Sequence, residues 1–252
     1  MGMAEPFIQF KNVKKSFDDN YVMQGVDLSI YKGEITAIIG KSGCGKSVLL
    51  KHIIGLMTQD SGEILISGKN FAALNKKEKK RFKKKLSYMF QSNALFDSMN
   101  IFDNIALPLV ENSSFSRTKI REKVMERMNQ LEIKGIEKQF PSEVSGGMQK
   151  RVALARALVI DPDIVLFDEP TTGLDPVRKN NVHLMIKEYQ EKFGFTAIVV
   201  SHEIPEVFDI AQKIAMLDKG KIIFEGDKNM IMNSDNESVK AFITGKETGL
   251  KG

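Results

Sequence analysis

The 252-residue chain contains a single cysteine, Cys44. One thiol cannot build an internal disulfide framework, so the composition fits a reducing cytosol and excludes a disulfide-stapled scaffold. Long apolar runs are missing as well. The longest, Ile35–Ile39 and Phe195–Val200, are strand-length and fall far short of the ~20 residues that a membrane-spanning helix needs. Met1–Phe10 lacks the basic-then-apolar pattern of a secretory signal, so the chain is expected to remain in the cytoplasm. There is no internal repeat and no low-complexity linker. The length is generous for one domain and short for two, so the expectation is a single domain over residues 1–252 that carries an insertion.

What is present begins with an apolar fraction of 42%, ample for a sizeable core. The net charge of +5 is mild, and much of it comes from one run, Lys76–Lys85 (KKEKKRFKKK). Such a run suits a membrane-surface or nucleic-acid patch, but apart from Phe82 it has no stacking aromatics. It reads better as a solvated helix face, with no nucleic-acid partner implied.

Periodicity divides the chain into three parts. Phe7, Ile8 and Phe10, then Val26, Leu28 and Ile30, alternate with polar residues as in a small antiparallel sheet. Glu34–Ile39 is a short buried-type strand, and Ser47–Leu56 has helical spacing. Gly62–Gly68 is again a strand between glycines. In the middle, Ile120, Val124, Met128 and Leu131 form one helical stripe, Pro141 breaks the chain, and Ser145 starts a helix running to about Val159. The last third returns to alternation: strand Ile164–Phe167, helix Val177–Phe193, strand Thr196–Val200, then a hairpin around Lys219-Gly220. This pattern predicts an α/β fold with a mainly parallel sheet, a small antiparallel β-subdomain and a helical insertion. The polar tail from about Asn233 is expected to be loosely held.

Gly40-Lys41-Ser42-Gly43-Cys44-Gly45-Lys46-Ser47 matches G-x-x-x-x-G-K-[ST] in full, between a predicted strand and a predicted helix. Chance gives the bare pattern in roughly one chain in a hundred of this length, and the strand–loop–helix context makes coincidence rarer still. Its glycines let backbone amides ring a phosphate, Lys46 reaches the phosphates, and the Ser47 hydroxyl suits Mg²⁺. Ile164–Phe167 ends in Asp168-Glu169. Alone, a strand followed by two acids is often just a polar turn. Beside a phosphate loop, Asp168 is placed to hold Mg²⁺ and Glu169 to orient or deprotonate an attacking water.

At this point the chain resembles the ABC ATPase family of phosphate-loop NTPases, over nearly its whole length. The family signature LSGGQ is matched by Val144-Ser145-Gly146-Gly147-Met148, about twenty residues before the acid pair, with Val144 and Met148 departing from the consensus. A serine and two glycines opening a helix leave amides free to bind an anion. The resemblance makes that anion the γ-phosphate of ATP held by a second protomer. It implies that Gln91 is the Q-loop glutamine touching Mg²⁺ and water, that Gly173-Leu174-Asp175 is the D-loop at the dimer contact, and that His202 is the switch histidine. It also implies that Phe17 stacks on adenine, with Tyr21 as a rival. ATP and Mg²⁺ are then the cofactors. Catalysis falls to Glu169, His202, Lys46 and Gln91, and Mg²⁺ to Ser47, Gln91 and Asp168. Nucleotide contacts come from Phe17, Gly40, Ser42, Gly43, Cys44, Gly45, Lys46, Ser47, Val48, Ser145, Gly146, Gly147 and Asp175. His52 and His183 lie in helices and read as surface or packing residues.

The resemblance further implies a homodimer that energises separate integral-membrane permease subunits on the cytoplasmic face of the inner membrane. Its core would be residues 1–91 and 160–232, its helical and signature region 92–159, and its tail 233–252. Ser92–Glu111 would supply part of the groove for a permease helix, with Leu95, Phe96, Ile101 and Phe102 as candidates. The stretch Asn93–Asn104, with Pro108-Leu109 and the SGGM signature, is similar to the ATPases of Mce-type phospholipid transporters, which include the lipid-asymmetry (Mla) systems. An Mce-type substrate-binding protein is then implied as a further partner. Lipoprotein-release or amino-acid transport ATPases, and soluble ABC ATPases of the Fe–S assembly or regulatory type, are the alternatives. A GTPase would want Asn-Lys-x-Asp, which Asn75-Lys76-Lys77-Glu78 is not.

Overall fold

A computed structural model describes residues 5–89 and 94–245. Strands β1 (Ile8–Phe17) and β2 (Asn20–Ile30) are followed by β3 (Ile35–Ile39), helix α1 (Lys46–Ile53), β4 (Ser61–Ile66) and the two-residue β5 (Lys69–Asn70). Next come α2 (Lys76–Lys83), β6 (Leu86–Met89), α3 (Ile101–Asn112), α4 (Arg117–Gln130) and α5 (Gly146–Leu158). The last third holds β7 (Ile164–Asp168), α6 (Pro176–Phe193), β8 (Thr196–Ser201), β9 (Lys213–Asp218), β10 (Lys221–Gly226), α7 (Lys228–Met232) and α8 (Glu237–Thr244).

Two sheets result. One is antiparallel, in the order β2-β1-β4-β5; the other runs β10-β9-β3-β8-β7-β6, parallel throughout except for β10. The reason for the parallel sheet is visible in its strands. Every residue of β3 and β8 is buried, and alternate side chains feed two different cores. Ile35, Ala37 and Ile39 of β3 pack with α3, α4, α5 and α6 on one face. Ile38, with Leu166 and Val200, packs against the antiparallel sheet and α1 on the other. Strands covered on both faces must be apolar at every position.

Local chemistry starts the helices. Asn100, Ser116, Ser145 and Asp175 each accept a backbone N–H of the first turn of α3, α4, α5 and α6. The basic run forms α2, with an Asn75–Glu78 capping box and no buried residue, the solvated helix expected of it. His52 and His183 are fully buried and are packing residues. The tail departs from expectation: α8 is capped by Asn236, buries Val239, and packs Phe242 and Ile243 on the larger core. Those apolar contacts hold residues that the polar stretch Asn233–Ser238 had made look loose.

Candidate active site

The site lies where three parallel strands end side by side. Ile39 of β3 pairs with Ser201 of β8, and Asp168 of β7 pairs with Val200. Ladder register alone therefore brings the loop after β3, the acids ending β7 and the residues after β8 to one edge, the usual ligand edge of an open α/β sheet.

The loop at Gly40 is tight. Gly40 has φ +152°, and a Cβ there would sit 2.3 Å from the Leu217 carbonyl oxygen and 2.8 Å from Cys44 Sγ. Only glycine fits. Lys46 is 4% exposed, and its Nζ donates to the carbonyls of Gly40 and Lys41, both at 2.9 Å. The ammonium is thereby folded over its own loop. Gly45, with φ +106°, precedes α1 without a side-chain cap, so no side chain competes for the first-turn amides. Ser42, Gly43 and Cys44 complete the turn, and Val48 packs against the smaller core. Burial pushes the Cys44 thiol above its ordinary value, against the opposing pull of Lys46.

Asp168 faces this loop. Its Oδ1 lies 3.4 Å from Ser47 Oγ, while its Oδ2 accepts a 2.5 Å bond from the Tyr88 hydroxyl. Burial, then the bond to Asp168, push the Tyr88 phenol well above its ordinary range, so it is a permanent donor. Glu169 has φ +50°, in the left-handed region, and its N–H donates to the Val200 carbonyl at 3.0 Å. Its carboxylate is held from both sides: Oε1 lies 3.0 Å from His202 Nδ1, and Oε2 accepts from Thr172 Oγ1 at 3.2 Å. A strained non-glycine residue fixed by a histidine and a threonine is the kind found at functional sites.

Ser145, Gly146 and Gly147 sit elsewhere. They open α5 onto a groove of about 790 Å³ whose other wall is Leu174 and α6, and nothing would meet a Cβ at either glycine. Among the described residues no hydrogen bond or ion pair joins residues 145–148 to residues 40–47. Lys150, buried on the same helix, donates to the Pro170 carbonyl at 2.9 Å and so ties α5 to the residue after Glu169. Asp175 caps α6 through the Arg178 N–H at 3.0 Å. Phe17, at the end of β1, is 40% exposed with Lys15 Nζ 5.5 Å from its ring centre. Tyr21 instead lines a shallow hollow with Ser16, Met23 and Asp60. Gln91 lies outside the described residues.

Thus the structure gathers Lys46, Ser47, Asp168, Glu169 and His202, and sets Ser145, Gly146 and Gly147 on a separate groove. Tyr88, Thr172 and Lys150 were missed from sequence: only tertiary packing brings Tyr88 and Lys150 to their partners, while Thr172 reaches back three residues to Glu169 through a local turn.

The family model described as ABC transporter matches residues 23–172, the stretch that holds the phosphate loop, the serine-glycine helix and the acid pair. The chain belongs to the ABC transporter family. It is 37% identical over 98% of its length to the intermembrane phospholipid transport system ATP-binding protein MlaF of Haemophilus influenzae, covering 94% of that protein. MlaF of Escherichia coli K12 is 36% identical over 96% of the chain and 90% of the relative. A probable ribonucleotide transport ATP-binding protein, mkl of Mycobacterium leprae, is 38% identical over 99% of the chain and 71% of its own length. Among solved structures, cbiO1 of Clostridium perfringens aligns with TM-score 0.84 at 25% identity, over 94% of both chains. A dimeric cassette, MJ0796, bound to ADP and Pi aligns with TM-score 0.74 at 30% identity, over 87% of this chain and 98% of the other.

The protein is therefore the ATP-binding subunit of an ABC transporter, in a family of ATPases that bind ATP, generally with Mg²⁺. The donors present fit that cation. One carboxylate and one hydroxyl, both oxygen donors, converge at Asp168 and Ser47, and among the described residues no cluster of three or more His, Cys, Asp or Glu could hold a metal unaided. Magnesium takes this kind of sparse site, completed by substrate phosphates. No helix among the described residues is long and apolar enough to cross a membrane.

Proposed function

We propose that two copies of this chain sandwich two ATP molecules and use their hydrolysis to drive phospholipid movement through a separate integral-membrane permease. The observation that carries the reading is the separation of one chain's machinery into two parts. Lys46, Ser47, Asp168, Glu169 and His202 meet at one sheet edge, while the free amides at Ser145, Gly146 and Gly147 face another groove. A second copy then supplies the missing anion-binding amides, with Asp175 near the contact.

In this reading the amides of Gly40–Ser47 and the Lys46 ammonium cradle the phosphates, Val48 backs the loop, and Phe17 offers its exposed ring to the base. Ser47, Asp168 and Gln91 hold Mg²⁺, which when bound neutralises phosphate charge. Glu169 accepts the proton of the attacking water, and His202, 3.0 Å from it, orients that carboxylate and steadies the γ-phosphate. Phosphoryl transfer needs charge neutralisation and positioning more than covalent chemistry, and these groups supply both.

The phospholipid substrate is supported by the two MlaF relatives, which this chain matches over 94% and 90% of their lengths. The mkl relative carries a ribonucleotide name and extends beyond the match. The permease docks along the start of the helical region, where Phe96 is 48% exposed and Leu95 and Phe102 are half-buried; Ile101 is fully buried and belongs to the core. An Mce-type binding protein joins through the complex, on the cytoplasmic face of the inner membrane. The test is reconstitution of the chain with its permease in liposomes, following transfer of fluorescent phospholipid. ATP-dependent transfer that stops with Glu169→Gln supports the reading. Transport of nucleotides without lipid transfer overturns the substrate, and ATP turnover indifferent to any permease overturns the transporter.

A further inference from the structure

Glu169 and His202 lie 3.0 Å apart, yet the sheet does not set that distance. The β7–β8 ladder ends at the pair Asp168 and Val200, and the bond from the Glu169 N–H to the Val200 carbonyl is its last rung. Among the described residues no main-chain hydrogen bond joins residues 170–172 to residues 202–205. The His202 side chain is 36% exposed, so packing restrains only part of it.

One side chain bridges the gap. Glu203, the residue after His202, turns its carboxylate inward and is 16% exposed. Its Oε2 accepts from the buried Thr171 hydroxyl at 2.9 Å, and its Oε1 lies 2.8 Å from Lys179 Nζ of α6. The main chain is pinned as well. The Glu203 N–H donates to Ser201 Oγ at 3.0 Å, and that hydroxyl donates to the Glu203 carbonyl at 3.1 Å. His202 therefore stands between two fastened residues. On the facing loop, Lys150 holds the Pro170 carbonyl beside Thr171. Charge separates the two acids. Lys179 neutralises Glu203, which a half-buried carboxylate near a second one requires. Among the described residues no lysine or arginine pairs with Glu169, so its carboxylate stays available as a base.

We propose that Glu203 is a positioning residue for ATP hydrolysis: by tying the histidine loop to Thr171, it holds His202 at hydrogen-bond distance from Glu169. The proposal rests on the roles given above to those two residues and adds the group that sets their separation. Beyond the end of the ladder, a carboxylate and a hydroxyl take over the task that main-chain bonds perform within it. Misplacing a reacting group by about 1 Å costs on the order of a hundredfold in rate, so a tie of this kind acts on turnover more than on ATP affinity.

The test is steady-state phosphate release by the full chain assembled with its permease, with KM for ATP read beside kcat. Glu203→Ala should lower kcat by roughly ten- to a hundredfold, while KM stays within about twofold. Thr171→Val keeps the shape and deletes the hydroxyl, and it should do the same. The double variant should fall no more than about twofold below the slower single one. Glu203→Gln should keep kcat within about threefold of wild type, because its amide oxygen serves Lys179 and its N–H serves the Thr171 hydroxyl, which also accepts. On a His202→Ala background, Glu203→Ala should change turnover by less than about twofold, since nothing is left to place. A residue that only supports the fold would still cost activity there. Wild-type kcat in Glu203→Ala, a loss carried by KM alone, or an undiminished loss without His202 overturns the proposal. Should Glu203→Ala fail to fold, wild-type kcat in Thr171→Val overturns it equally. Wild-type turnover in His202→Ala overturns instead the role of the histidine on which the proposal rests.

Discussion

The Tyr88 hydroxyl donates a 2.5 Å hydrogen bond to Asp168 Oδ2, while Asp168 Oδ1 stays within 3.4 Å of Ser47 Oγ. One oxygen is fixed so that the other faces the phosphate loop. Tyr88→Phe keeps the ring and removes the donor. Because hydrogen bonds to charged groups are worth about 1.5–3 kcal/mol, the variant should need roughly tenfold more Mg²⁺ for half-maximal ATP binding. A Mg²⁺ titration of fluorescent ATP-analogue binding measures it, and an unchanged midpoint removes the orienting role. The raised phenol keeps the bond intact throughout the neutral range, so the difference should not vary between pH 6 and 9.

Glu169 lies between His202 and Thr172. Glu169→Gln should lower ATP turnover by ~10²–10⁴, the usual loss on removing a general base, and retain ATP binding. A phosphate-release assay beside equilibrium binding separates the two. Near-normal turnover would show that another group takes the proton.

Cys44 sits inside the loop, with its thiol raised by burial. Little thiolate exists at pH 7, so alkylation by iodoacetamide should be slow there. It should accelerate about tenfold per pH unit up to and beyond pH 9. ATP should protect the thiol, and full labelling should abolish nucleotide binding. Fast labelling at pH 7, or labelled protein that still binds ATP, contradicts the placement.

Gly40→Ala puts a methyl group against the Leu217 carbonyl and Cys44 at a backbone angle alanine avoids. The strain should cost about 1–3 kcal/mol and lower Tm by several degrees, with ATP binding lost. Calorimetry with and without ATP reads both; a variant that melts and binds like wild type would mean that the loop is pliable.

Asp60 ties down the end of β1 that carries Phe17, accepting from Lys15 Nζ at 2.6 Å, Ser16 N–H at 2.7 Å and Ser16 Oγ at 3.0 Å. These bonds, Lys15 first, lower its pKa from 3.8 to about 2. A depressed carboxylate stabilises the fold above its unfolded pKa, and that contribution fades as pH falls from about 4 toward 2. Asp60→Asn should therefore melt below wild type at pH 7 and converge with it near pH 2. A constant gap across that range would point to packing instead.

These residues also show what could be read from sequence alone. β3, β7 and β8 were legible because strands buried on both faces are apolar throughout, and the phosphate loop because its glycines obey local geometry. Helix α3 was not, since Pro108 interrupts the pattern and the buried Asn104, which bonds Phe96, Met99 and Asn100, looks polar. Val239 hid in a polar tail for the same reason: its burial depends on a distant surface. Tyr88 and Asp168 are 80 residues apart, and only the β6–β7 ladder makes them neighbours.

The ladders that join β3, β8 and β7 reach further. Distances between the phosphate cradle, the acids and the histidine are ruled off by main-chain hydrogen bonds of adjoining strands, which any apolar side chain can serve. Exchanges among Ile, Val and Leu on these strands therefore cost packing energy but leave the register of the chemical groups in place. A shear of one strand against its neighbour would disturb all of these groups together.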